Sequence, residues 1–349
     1  MSRINVKVLP RTEAGNDPND HRGSPDYLNR AETLDSPLSP SLRAVQLSEF
    51  LALEFPPREL ILAPWMPTQS LAMIFAWRGV GKTFMSIGIA YAVASGGKFL
   101  QWEAPTPRRV LYLDGEMPGS VLQERFAATV AASEHAPAEG FMTVVTPDLQ
   151  SGAMPDLATA DGQDQIDSIV EKCNAELIIV DNLSAWVRGA GRENESESWN
   201  PVAGWALRHR QAGRSILFDH HAGKGGEQRG TSKKEDLLDA VLRLKRPPDY
   251  QPAECAVFEV HFDKARHISG KEVDPFEARL GTDDHGCQCW TTRTLEVGTF
   301  DRVVDLANEG LSQKEIAIEL DINKSNVSRH FRKAKLDGLI TANSGRNDD

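Results

Sequence analysis

The residues with the clearest chemistry are Lys82 and Thr83. They close the segment Ala76-Trp77-Arg78-Gly79-Val80-Gly81-Lys82-Thr83, which lies between the apolar run Leu71–Phe75 and a helical run, Phe84–Ser95. A strand, a glycine-containing turn and a helix in that order aim backbone N–H groups at a phosphate chain. The positive end of the helix dipole adds to the attraction. Lys82 then reaches the β- and γ-phosphates of a nucleotide, and the Thr83 hydroxyl binds Mg²⁺. The candidate cradle runs from Ala76 to Phe84. It departs from the usual pattern at its first position, where Ala76 replaces a glycine; a methyl group is tolerated there if the local φ is negative.

Two further apolar runs end in acids. Leu111-Tyr112-Leu113 is followed by Asp114-Gly115-Glu116-Met117, and Leu177-Ile178-Ile179-Val180 ends in Asp181. A carboxylate at the carboxyl end of a strand projects into the crevice where open α/β sheets bind ligands. Capping the following helix is the other reading for such acids. Lying about a hundred residues after a phosphate loop, Asp181 fits the carboxylate that holds Mg²⁺. A third run, Ser215–Phe218, ends in Asp219-His220-His221. A histidine at a strand end can hydrogen-bond a γ-phosphate and report its loss; a surface-loop histidine is the alternative.

These side chains converge only if the strands carrying them lie side by side. The runs at 71–75, 110–113, 142–145, 177–180 and 215–218 are almost continuously apolar and alternate with longer helical segments. That pattern predicts an α/β fold with a mostly parallel sheet flanked by helices. Ala240–Leu244 and Ala256–Phe262 read as further strands, the latter alternating and so a sheet edge or hairpin.

The order of phosphate loop, strand-ending Asp-Gly-Glu-Met and apolar strand with Asp resembles the RecA/DnaB superfamily over about residues 60–290. It looks closest to the RepA-type plasmid replicative helicases and their AAA-labelled relatives. The resemblance implies a RecA-like ATPase, ATP with Mg²⁺ as ligands, and a homo-oligomeric ring, possibly a hexamer. It makes Glu116 the residue that orients the attacking water, with Asp114 behind it, and either His220 or His221 the sensor of the γ-phosphate. It makes Lys264 and Arg266 the cations that reach a neighbouring subunit's γ-phosphate, since period two puts them on one side of a strand. An edge strand blunted by charge is the plain reading of the same pair. The loop Lys224–Lys234, with Arg229 and Lys233, corresponds to a channel loop that contacts nucleic-acid backbone; a solvated charged loop reads equally well.

Near Thr299 the composition changes to a compact helical tail. Phe300, Val303, Val304, Leu306 and Ala307 give one helix an apolar face. Ser312-Gln313-Lys314-Glu315 is a capping box opening a second, with Ile316, Ala317 and Leu320 inward. Asp321-Ile322-Asn323 makes a turn before a third, Lys324–Leu336, packed through Val327, Phe331 and Leu336. This third helix holds five Lys or Arg residues and no acid. The pattern resembles the helix-turn-helix domains of bacterial regulators. The resemblance puts Lys324, Ser325, Asn326, Ser328 and Arg329 at a major groove. Similar three-helix units also dock proteins.

The expected organisation is a tail at 1–42, with a short helix-like stretch Arg43–Phe55 after it, a RecA-like ATPase domain at 43–296 and a helix-turn-helix domain at 297–345. The net charge of −11 leaves nucleic-acid contact to local basic segments. No apolar run approaches the ~20 residues of a membrane span, and the N-terminus lacks the apolar stretch of a signal peptide. A cytoplasmic protein is expected, with no membrane partner. Cys287 and Cys289, with His285 nearby, lack the paired spacing of a zinc framework and read as reduced thiols. Three functions then compete: a DNA-dependent motor, a DNA-bound ATPase switch, and a binding module with a vestigial site. The complete set of Lys82, Thr83, Glu116 and Asp181 speaks against the third.

Overall fold

The computed structural model describes residues 42–188, 195–222, 233–247, 250–251 and 255–340, with side chains at 195–198 and 233–234 excepted. The chain divides after Pro56 into two units. In the first, a helix spans only Leu47–Ala52, shorter than the expected Arg43–Phe55. Arg43 pairs with Glu49 at 3.1 Å, and the Phe50 and Phe55 rings lie 5.5 Å apart.

The second unit is built on one sheet of nine strands. In chain order these are β1 (Leu71–Ala76), β2 (Val110–Asp114), β3 (Met142–Val145), β4 (Leu177–Asp181), β5 (Ser215–His221), β6 (Ala240–Lys245), β7 (Ala256–Ala265), β8 (Phe276–Thr282) and β9 (Gln288–Thr294). Their order across the sheet is β9-β8-β7-β6-β1-β5-β4-β2-β3. The six strands from β6 to β3 are parallel, and β7, β8 and β9 extend the sheet as an antiparallel meander. The α/β class with a mostly parallel sheet is therefore as the apolar runs predict.

Strand β1 has every residue buried. Fully burying Leu71, Met73, Ile74 and Phe75 contributes about 1.5–3 kcal/mol each, which fixes the strand carrying the phosphate loop at the centre of the sheet. The two faces form separate cores. One holds Ala72, Ile74 and Ala76 with helix α1 (Lys82–Ser95) and, on β7 and β8, Phe258 and Ala278. The other holds Met73 and Phe75 with Trp186, Trp199 and Trp205 from later helices. Helix α1 ends at Gly96, whose φ of 68° is the left-handed conformation favouring glycine at a helix end. Helices α2 (Gly119–Ala131), α3 (Ala160–Cys173), α4 (Leu183–Trp186) and α5 (Glu195–Gln211) supply the remaining crossovers.

Strand β7 is three residues longer than Ala256–Phe262. Its residues 259–265 pair antiparallel with β6 and 256–260 with β8, so it is the hairpin partner of β6 and not a sheet edge. The sheet edge is β9, a strand whose short, partly exposed pattern carries no clear sequence signal.

The tail forms helices α6 (Leu295–Asn308), α7 (Gln313–Glu319) and α8 (Lys324–Leu336). The capping box is present: the Ser312 hydroxyl accepts from Glu315 N, and the Glu315 carboxylate accepts from Ser312 N. Two expectations are corrected. Helix α6 begins at Leu295, not near Thr299, so it follows β9 without a linker and crosses the expected boundary at 297. Leu336 is 81% exposed and packs nothing; His330 and Ala334 join Val327 and Phe331 on the buried face instead. Leu336 follows Ala334 by two residues, which turns it away from a face defined by spacings of three and four. No helix among the described residues is long and apolar enough to cross a membrane.

Candidate nucleotide site

The turn after β1 holds Gly79 and Gly81 at φ of 76° and 129°, values that side-chain-bearing residues rarely adopt. At Gly81 a β-carbon would also lie 2.9 Å from the Phe258 ring. Ala76 is the last residue of β1 and pairs with His221 and Leu244, so it is extended backbone where a methyl group costs nothing. The turn is closed from outside by Arg246, whose Nη2 donates to Gly79 O at 2.8 Å while its guanidinium lies 4.3 Å over the Tyr250 ring.

Lys82 is 6% exposed, and its Nζ donates to Ala76 O at 3.3 Å. Nζ is also 3.0 Å from His221 Nδ1. An ammonium carries only donors, so Nδ1 accepts and the imidazole proton sits on Nε2. That Nε2 lies 3.9 Å from Glu116 Oε1, beyond hydrogen-bond reach but facing it. Burial lowers the Lys82 pKa, while Asp219, Asp181 and Glu116 oppose the shift by their charge.

Asp181 is almost fully buried at the end of β4. Tyr112 OH donates to its Oδ2 at 2.7 Å, and the Thr83 hydroxyl also reaches it. Beside it Asp219, fully buried on β5, accepts from Ser86 Oγ at 2.6 Å, and the charge of Asp181 acts on it. Burial pushes both carboxyls up, Asp219 well above the ordinary range. Two adjoining carboxyls thus face one buried ammonium. Neither can ionise cheaply without more positive charge, which is the chemistry that a divalent cation supplies. Among the described residues no three His, Cys, Asp or Glu side chains are grouped to hold a metal alone. A divalent cation held by Thr83 and Asp181 would need further oxygens, such as those of a nucleotide, as Mg²⁺ in phosphate sites usually does.

Alternation along β5 separates the two histidines. Asp219 and His221 face α1, whereas His220 pairs in register with Phe75 and shares its opposite face. His221 is the one brought to Lys82 and Glu116; His220 is not. Asp114 is buried and holds the Glu116 turn, accepting from Met117 N at 3.2 Å and from Thr146 Oγ1 at 3.0 Å. Burial raises its pKa. The side chain of Glu116 is 57% exposed and open to solvent.

Lys264 and Arg266 do not reach this site within one chain. Ala265 pairs with Ala240, which pairs with Ala72, so both cations stand at the start of β1, the end opposite the phosphate loop. They do lie on one side: Lys264 donates to Glu235 O, and Arg266 Nη2 to Asp236 O at 2.7 Å. Arg229 lies outside the described residues, and Lys233 opens a short helix, Lys233–Asp236. Lys324, Ser325, Asn326 and Arg329 are exposed on α8 and Ser328 is half-buried; Arg329 lies 3.6 Å from Glu296.

Asp219, Ser86, Tyr112 and Arg246 escape a sequence reading. Asp219 adjoins the two histidines at a strand end, which was a usable signal. The others are placed by tertiary register alone.

A parallel sheet with a glycine turn and a buried lysine at the carboxyl end of its central strand defines a P-loop nucleotide-binding protein. Residues 36–227, more than half of the chain, match the family model described as AAA domain, and the chain belongs to that family. Residues 306–341 match a winged helix-turn-helix DNA-binding model. No curated protein matches the sequence. Among solved structures, a KaiC-like protein from the hyperthermophilic archaeon Pyrococcus horikoshii OT3 is similar at 15% identity. The match covers 65% of this chain and 90% of that one, with a TM-score of 0.44.

Proposed function

We propose that the protein is a RecA-like ATPase that binds ATP with Mg²⁺, hydrolyses it, and acts on DNA as an oligomeric motor of the RepA-like replicative helicase kind. The observation that carries this is the meeting of Lys82, Thr83, Asp181, Glu116 and His221 at the ends of adjacent strands. In this reading the loop N–H groups and Lys82 hold the β- and γ-phosphates, and Thr83 and Asp181 hold Mg²⁺. The metal neutralises charge on the transferring group. Glu116 accepts a proton from water as its oxygen attacks the γ-phosphorus. The bond to the β-phosphate oxygen breaks, and that oxygen leaves with the electron pair on ADP. His221, bonded to Lys82, also bonds the γ-phosphate in this reading and so reports its loss.

Lys264 and Arg266 then serve a neighbouring subunit in a ring, possibly of six. Arg229 and Lys233 contact single-stranded DNA, and Lys324, Ser325, Asn326, Ser328 and Arg329 contact duplex. Plasmid or mobile-element replication in the cytoplasm is the setting this reading suggests. The match to a helix-turn-helix model supports DNA as a partner. A second reading, a DNA-bound ATPase switch without processive unwinding, is favoured by the direct passage of β9 into α6. Native mass together with ATP turnover, with and without single-stranded DNA, separates the two. A ring stimulated by single-stranded DNA supports the motor, and a monomer indifferent to it overturns that reading.

A further inference from the structure

Strand β7 touches both the phosphate loop and the helix-turn-helix module. On one face, Phe258 fills the space where a Gly81 β-carbon would sit, so the loop and the ring cannot shift independently. The ring also lies 5.6 Å from Trp290 on β9. Trp290 lies 5.6 Å from Phe99, and Phe99 occupies the space beside Gly88 of α1, where an added β-carbon would collide with its ring. A run of edge-on and tilted aromatic contacts therefore connects the space beside α1 with Phe258 and with the strand that leads into α6.

The next residue, Glu259, faces the other way and pairs in register with Glu277 of β8. These two acids, 7% and 1% exposed, receive Arg302 of α6, itself 6% exposed. Arg302 bonds Glu277 and lies 4.0 Å from Glu259. Arg293 on β9 bridges Glu277 and Asp301, each at 2.8 Å. Buried ion pairs hold their geometry because separating one strands a desolvated charge. Close-packed interiors pass displacements on without absorbing them. Helix α6 is thus fastened to the same strand that backs the phosphate loop.

We propose that nucleotide occupancy at the phosphate loop controls the helix-turn-helix module through β7, with Phe258 as the input contact and the Glu259–Glu277–Arg302 cluster as the output. This rests on the loop being a nucleotide site. Filling the loop fixes Gly81, Gly81 fixes Phe258, and the far face of the same strand carries the change to α6 and to the base-contacting face of α8. By reciprocity, DNA on α8 alters nucleotide affinity by the same factor that nucleotide alters DNA affinity.

Hydrogen–deuterium exchange on the full chain, with and without ATPγS and Mg²⁺, tests this. Slowed exchange across residues 77–88 accompanied by a change of about fivefold or more in 256–260 and 295–308 is the expected result, in line with ordinary coupling strengths. Protection of the loop with α6 unchanged overturns the coupling and leaves the nucleotide site standing. No loop protection at saturating ATPγS overturns the nucleotide reading itself. In Glu259→Gln and Arg302→Met the loop response should persist while the α6 response falls several-fold. An undiminished α6 response in Glu259→Gln overturns the assigned output. If Arg302→Met already loses α6 protection without nucleotide, Glu259→Gln, which keeps the side-chain shape, decides.

Discussion

The Lys82 ammonium donates to His221 Nδ1 at 3.0 Å, on the side of the imidazole opposite the one facing Glu116. One histidine thus stands between Lys82 of the phosphate loop and Glu116, the two residues to which the proposed function gives phosphate binding and water activation. In the proposed function this histidine also meets the γ-phosphate. Replacing His221 with Ala should lower ATP turnover by about tenfold or more, the low end of what a charge-assisted bond of ~1.5–3 kcal/mol allows. His220→Ala, on the other face of β5, should lower it far less. Steady-state rates of the two variants decide; equal loss in both would undo the assignment.

Tyr112 holds the carboxylate of Asp181 from inside the core. Tyr112→Phe removes one buried donor and should cost about 1–3 kcal/mol of stability. The Mg²⁺ concentration giving half-maximal turnover should rise, because Asp181 loses its orientation. Turnover titrated against Mg²⁺ reads this, and an unchanged midpoint would leave Tyr112 as packing only.

Gly81→Ala places a methyl group 2.9 Å from Phe258 at a φ of 129°. Both the contact and the strained backbone should displace the loop, with a strain of about 1–3 kcal/mol. ATPγS titration by calorimetry should show binding weakened by at least tenfold, with the thermal midpoint lowered.

His209 is 5% exposed, set edge to face against Trp205, with Nε2 2.8 Å from Asp167 Oδ1. Burial lowers its pKa below 6.5, against the pull of Asp167. A base depressed in the folded state binds fewer protons there than when unfolded. Its share of stability is therefore complete above about 6.5 and is lost as the pH falls through the folded value. Urea midpoints of His209→Gln should fall less steeply on acidification below 6.5 than those of wild type. Parallel curves would exclude His209 as a source of acid sensitivity.

The parts of the site legible in the sequence are those that local chain geometry fixes. Lys82 and Thr83 follow a glycine turn, and Glu116 and Asp181 end apolar runs, so pattern and position suffice. The helix-turn-helix tail was legible for the same reason, because capping at Ser312 and spacing at Val327 and Phe331 are local. Leu336 misled, since an apolar residue at a helix end need not face inward. What stayed hidden depends on which strands become neighbours. Asp219 meets Asp181 because β5 lies beside β4, and Phe258 meets Gly81 because β7 folds back next to β6. Choosing between His220 and His221 required knowing which face of β5 carries α1. Lys264 and Arg266 pair on one side as alternation predicts, yet the antiparallel run of β7 carries them to the far end of the sheet.

Hydrolysis in the proposed function requires that Glu116 act on water beside a nucleotide held by Lys82. The direct measurement compares ATPγS affinity and ATP turnover in wild type and Glu116→Gln. A proton acceptor contributes about 10²–10⁴-fold, so the variant should bind within a few-fold of wild type and turn over slower by about that factor. Turnover by Glu116→Gln at the wild-type rate would contradict the account.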